Sequence, residues 1–220
     1  MPPLGDRRHL EMLDHFKRAN SLKARLGAIL HNDPMSRTIY GLAWGDPETA
    51  EPLRFIRDRW VLPYVNHKHT AVEIGPGGGR WTRYLLGFRQ LYAVDYFQEL
   101  LDELNKNFRA KNLIPIKNNG TDFPSVPEHQ VDFVFSFGTF VHLDAPVIEG
   151  YLQSIRSILR QGGNVVLHYS DMTKIMAREN PGFAQNTPVQ MRKMVTDAGY
   201  RILEEDLTTM WHSSLLRFTS

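Results

Sequence analysis

From residue 70 onward the chain alternates two hydrophobic rhythms. "TAVEI" is a short continuous apolar run, and "RWTRYLL" after it spaces its apolar residues as a helix does. "LYAVD" reads as a strand, and "FQELLDELNKNF" places Leu100, Leu101, Leu104 and Phe108 on one helical face. "LIPIKN" and "VDFVFSF" read as two more strands. Asp144 stands where a cap belongs, before a helix carrying Ile148, Tyr151, Leu152, Ile155 and Leu159. Gly162 and Gly163 are expected to stop that helix, and "NVVLHYS" is the next strand. Thr187-Pro188 opens a further helix and Gly199 closes it. "YRILEEDL" and "MWHSSLLRF" finish the chain as strands.

Strands and helices in turn mean a mostly parallel sheet wrapped by helices. The last two strands have no helix between them, so one runs antiparallel to the rest. The expected fold is α/β and Rossmann-like, with seven strands. Earlier residues follow a different pattern. Leu10, Leu13, Phe16, Leu22, Leu26 and Ile29 recur at helical spacing, broken near Asn20 and Ser21, which predicts one or two helices. Pro34, Gly41, Gly45 and Pro47 interrupt helicity, and residues 49–61 resume it with Leu53, Ile56 and Trp60 on one side. The chain therefore divides into a helical extension, residues 1–48, and an α/β core, residues 49–220.

Composition narrows the classes. At 220 residues, with 42% apolar and 23% charged residues, the chain suits one globular domain with an appended segment. It has no cysteine, which removes disulfides, thiolate metal ligands and cysteine nucleophiles. A net charge of only +2, with Lys and Arg scattered among acids, makes no nucleic-acid partner expected. No stretch approaches the ~18 apolar residues of a membrane span. The first residues lack a long apolar run, so no secretory leader and a cytoplasmic location are expected.

The chemistry concentrates at "AVEIGPGGGRW". Gly75, Gly77, Gly78 and Gly79 directly follow the first core strand and precede a helix. Glycine admits positive φ and lets a ligand approach the backbone. The helix start near Arg80 offers unpaired N–H groups. Asp95 ends the second strand, where a carboxylate can accept both hydroxyls of a ribose. Together they read as a nucleoside cradle, although a plain tight turn and a helix-capping Asp95 would leave the same letters. A dinucleotide fingerprint, G-x-G-x-x-G, fails at its third glycine, where Arg80 stands.

The string is instead E-x-G-x-G-x-G, from Glu73 to Gly79. With Asp95, "GTDF" and "SFGTFVHL" in order, and a final strand "SLLRF", the chain resembles the class I S-adenosylmethionine-dependent methyltransferases over about residues 49–220. The resemblance implies S-adenosylmethionine as cofactor. It implies that Gly75, Gly77 and Gly79 border its methionine part, with Glu73 fixing the turn. It places Asp95 on the ribose, Tyr96 and Phe97 against adenine, and Asp122 on the adenine amino group, with Thr121 and Phe123 beside it. Phe137 and Gly138 would edge the cofactor, and His142 matches a histidine often found at that place in small-molecule members.

Methyl transfer to a hydroxyl needs a base; to a neutral amine it needs only orientation. The candidate bases are His142, His168 and, less favoured, His212. Tyr40 and Trp44, in "IYGLAWGDPE", suit a lid over the acceptor, and Tyr169, Met172, Met176 and Phe183 suit a second wall. "SFGT" after the fourth strand lacks the N/D-P-P-Y/F loop of amino-adenine enzymes and offers no acidic partner to Asp171, so no metal is expected. His67 and His69 read as a solvated loop. The expected reaction is O-methylation, ahead of N-methylation, of a small molecule such as a secondary metabolite or sugar. An RNA- or protein-modifying methyltransferase, a non-catalytic nucleoside-binding module and a dinucleotide oxidoreductase remain as alternatives.

Overall fold

The computed structural model describes residues 39–220; the helices expected between Leu10 and Leu30, and most of the extension, lie outside that range. A 3-10 turn, Leu42–Trp44, leads to helix α1, Glu51–Ile56, which continues through a π turn, Arg57–Val61, and a 3-10 turn, Leu62–Tyr64. Pro63 lies in that last turn, at the end of the helical stretch, because proline has no N–H to extend it. The core then follows as β1 Thr70–Ile74, α2 Thr82–Leu85, β2 Gln90–Asp95, α3 Gln98–Asn107, β3 Leu113–Lys117, β4 Val131–Ser136, α4 Ala145–Ile158, β5 Leu159–Ser170, α5 Ile175–Arg178, α6 Pro188–Asp197, β6 Arg201–Asp206 and β7 Ser213–Thr219.

The strands form one sheet in the order β3-β2-β1-β4-β5-β7-β6. The first five are mutually parallel. β7 runs antiparallel to both β5 and β6, as two strands joined without a helix require. The order reverses at β1, whose neighbours are β2 and β4, and the crevice beyond their carboxyl ends is where such sheets hold ligands.

Both faces of the sheet are covered. Val72 and Ile74 of β1, Val134 of β4 and Val165 and Leu167 of β5 pack with Ile148, Leu152 and Ile155 of α4 and Met191 and Val195 of α6. The alternate residues Ala71, Phe133, Phe135 and Val166 face the other way, against Leu53 and Ile56 of α1 and Trp81 and Leu85 near α2. Period-two alternation with both faces apolar is the mark of a strand buried on two sides.

Two local expectations shift. The helix after β4 ends at Ile158, well before Gly162 and Gly163, and both glycines lie within β5. Leu159 pairs with Val131, the chain bulges outward, and pairing resumes at Asn164 opposite Phe133; Gly162, at φ 71°, turns that bulge. The helix after the glycine string is only the four residues of α2. Thr187 does cap α6, accepting from the Gln190 N–H at 3.3 Å, with Pro188 as its first residue.

Candidate active site

The glycine turn begins where β1 ends. Gly75 donates its N–H to the Val94 carbonyl of β2 at 2.8 Å, and its φ is 70°. A Cβ there would lie 1.8 Å from Thr139 Oγ1. A Cβ on Gly78 would lie 2.2 Å from the Tyr40 backbone nitrogen. The turn is thus pressed between the loop after β4 and the segment before α1, and no side chain fits on either side. Glu73 is buried beneath it and accepts from Thr82 Oγ1 at 2.6 Å, tying the turn to α2. Burial pushes its carboxyl up to about 8.

Asp95 ends β2, buried, and accepts the Phe97 N–H at 2.9 Å. Burial pushes its carboxyl up to about 7, against the pull of backbone N–H groups from Phe97, Tyr96 and Gly77. A carboxyl poised near neutrality needs further donors to stay ionised, and a ribose diol supplies two.

A cavity of about 450 Å³ opens from this turn. Gly75, Gly77, Asp95, Tyr96, Phe97, Leu100 and Gly120 line one end. Val141, His142, Leu143, Asn180, Gly182, Phe183, Met210 and His212 line the other, with Arg80, Phe137, Gly138 and His168 between. Tyr40, Gly41 and Trp44 complete the wall, Tyr40 and Trp44 meeting edge to face at 5.1 Å. Arg80 Nη1 donates to the Gly41 carbonyl at 3.0 Å, and Arg83 pairs with Asp46, so this segment is stitched to the core beside the turn. The volume and the mostly apolar lining are those of a small-molecule site. The residues fit an adenosyl sulfonium: a carboxylate for the ribose, aromatic rings beside it, and bare backbone at the strand end.

The histidines differ in their bonding. His168 is buried, stacked on Phe137 with ring centroids 3.9 Å apart. Its Nδ1 accepts the Gly138 N–H at 3.1 Å, so the proton sits on Nε2, which meets Ser213 Oγ at 2.5 Å. Burial first, then the His212 and Arg80 charges, hold its imidazole well below the usual histidine range. It is a neutral strut joining the β4 loop to β7. His142 is different: Nδ1 lies 2.8 Å from the Gly182 carbonyl, which can only accept, so Nδ1 is protonated and Nε2 carries the lone pair. His212 packs edge to face on Phe183 at 5.3 Å, and His142 does the same at 5.6 Å.

Of the residues singled out from the sequence, Gly75, Gly77, Asp95, Tyr96, Phe97, Phe137, Gly138, His142, His168, Phe183, His212, Tyr40 and Trp44 converge on this cavity. The others do not line it. Tyr169 is fully buried with α4 and α6, because adjacent strand residues face opposite ways and His168 already faces the cavity. Met172 packs behind Val141 and Phe183. Gly79 packs on Phe108, where a Cβ would lie 2.1 Å from the ring. Thr121, Asp122 and Phe123 sit past the lining residue Gly120. Asp122 Oδ1 accepts the Asn119 N–H at 2.8 Å, closing its own turn, and Phe123 packs on Tyr151 at 5.9 Å. Arg80 was legible only as a break in the dinucleotide pattern, and Asn180, Gly182 and Met210 carried no signal. Among the described residues no group of three or more His, Cys, Asp or Glu is placed to hold a metal ion, and no helix is long and apolar enough to cross a membrane.

Residues 72–167 match the family model of a methyltransferase domain. No curated protein matches the chain in sequence. Among solved structures, an S-adenosylmethionine-dependent methyltransferase from Mesorhizobium loti superposes with a TM-score of 0.66 at 12% identity, covering 79% of this chain and 99% of that one. One from Archaeoglobus fulgidus gives 0.62 at 15%, covering 82% and 100%. The DhpI–SAH complex gives 0.61 at 19%, covering 81% and 87%. At these identities the structural likeness establishes the fold.

Proposed function

We propose that the chain is a class I S-adenosylmethionine-dependent methyltransferase, a reading supported by the methyltransferase-domain match over residues 72–167 and by the fold, and that it methylates an oxygen atom of a small molecule, with His142 as the base. The observation that carries this is that one cavity of about 450 Å³ holds both Asp95 and a histidine whose tautomer the Gly182 carbonyl fixes. Tyr40 and Trp44 add aromatic surface to the cavity wall, which suits a small acceptor.

The cofactor supplies an activated methyl carbon and a sulfur leaving group. Asp95 and the Gly75–Gly77 backbone hold and orient it. Tyr96 and Phe97 flank the adenine. Val141, Leu143, Phe183 and Met210 give the acceptor an apolar wall that excludes water. His142 Nε2 takes the hydroxyl proton as that oxygen becomes the nucleophile. His168 is a positioning residue, holding Gly138 against Ser213 and so shaping the wall. Tyr40, Gly41 and Trp44, in the described end of the extension, wall the cavity, with Tyr40 against the glycine turn.

The test is a screen with isotopically labelled S-adenosylmethionine against small phenols, sugars, amines and RNA, each product located by mass spectrometry. Label on a small-molecule oxygen, lost in His142→Gln, is expected. Label only on nitrogen, only in RNA or protein, or undiminished in His142→Gln, sinks the corresponding part.

A further inference from the structure

Arg80 follows the glycine string, and its side chain lies inside the protein. It is 8% exposed, lines the cavity, and stands with its guanidinium 5.4 Å from the centre of the Phe137 ring. Its one hydrogen bond among the described residues goes to a neutral group, the Gly41 carbonyl. No carboxylate among the described residues lies within ion-pair distance of it. The nearby acids are engaged elsewhere. Asp46 pairs with Arg83, and Glu73 accepts from Thr82 while burial favours its neutral form. A buried cation without a counter-charge is costly, and proteins retain one where a ligand completes it. The planar fork of arginine matches an oxyanion of the carboxylate or phosphate class.

We infer that Arg80 is the anion receptor of this cavity, pairing with a carboxylate-class group of a bound ligand. This rests on the cofactor reading above. Two molecules could bring the group: the amino-acid end of the cofactor, or an acidic acceptor beside it. Nη2 lies against Gly138, where a Cβ would come within 3.5 Å, so any larger residue at position 138 would crowd the receptor.

Calorimetry with paired ligands tests the assignment. S-adenosylhomocysteine carries the amino-acid carboxylate, and 5′-methylthioadenosine is the same nucleoside without it. If the cofactor supplies the anion, Arg80→Met weakens S-adenosylhomocysteine roughly 10- to 100-fold and leaves methylthioadenosine within about twofold. If the acceptor supplies it, Arg80→Met spares both nucleosides. Acetate or phosphate then perturbs the fluorescence of Trp44 and Trp81 in S-adenosylhomocysteine-loaded wild type but not in the variant. Equal weakening of both nucleosides, or no loss together with no oxyanion response, overturns the receptor. Should Arg80→Met fail to fold, wild type alone decides: S-adenosylhomocysteine binding no tighter than methylthioadenosine, with no oxyanion response, overturns it too. Arg80→Lys keeps the cation and is expected to retain part of the discrimination. Wild type that binds neither nucleoside removes the cofactor reading itself, a result distinct from all the others.

Discussion

Lowering the pH from 8 to 6 will weaken S-adenosylhomocysteine binding roughly tenfold, and Asp95→Asn will abolish most of that dependence. The reasoning starts from the Asp95 carboxyl, which burial raises to about 7 in the ligand-free chain. Two ribose hydroxyls donating to it favour the ionised form. The ionised fraction falls from about nine-tenths at pH 8 to about one-tenth at pH 6, and apparent affinity falls with it. The same shift has the opposite sign for the empty protein. A folded carboxyl raised above its unfolded value contributes stability that is full below about pH 4 and lost as pH rises through about 7. Relative to Asp95→Asn, ligand-free wild type therefore loses on the order of 4 kcal/mol between those limits. Calorimetry at pH 6, 7 and 8, and urea unfolding of both proteins at pH 5 and pH 8, measure the two effects. The slope left in Asp95→Asn belongs to other groups, Glu73 foremost, which is raised to about 8 by the same burial. Affinity that stays flat for wild type across this range, or unfolding profiles that run parallel for the two proteins, would refute the ribose clamp.

Two further substitutions probe the walls of the site. Gly75→Ala forces a Cβ into Thr139 at a φ of 70°, and should cost about 2 kcal/mol or more of stability; an unchanged melting temperature would contradict the turn as described. His168→Leu leaves the Gly138 N–H and the Ser213 hydroxyl without their partner, and urea unfolding should show a loss of about 1–3 kcal/mol; a neutral result would mean that the strut between β4 and β7 carries no load.

Much of the architecture could be read directly. Strand residues such as Val72, Val134 and Val166 form apolar runs because both sheet faces are covered, and that produces a recognisable pattern at any position in the fold. The site was legible where a residue's role depends on its own backbone position. Gly75 and Asp95 sit at strand ends that the pattern located, so their meeting was foreseeable. Tyr169 was misplaced by one residue of strand parity, since His168 and Tyr169 cannot share a face. Asp122 and Gly79 stand in the right motifs, but their side-chain space is taken by Asn119 and Phe108.

By itself the amino-acid order determined which segments form a mostly parallel sheet, and that a glycine-rich turn follows its first strand with Asp95 at the end of the next. Those properties follow from local backbone preference and hydrophobic period, which act between near neighbours. Only the tertiary structure decided which ring nitrogen of each histidine carries the proton. His168 is locked between Gly138 and Ser213, residues 30 and 45 positions away, while His142 is turned by Gly182, 40 positions away. It likewise decided that Arg80 is buried beside Gly41 with no acid among the described residues within ion-pair distance. Hydrogen bonds and charges across such separations leave no period in the chain, so they exist for a reader only once the fold has brought the partners together.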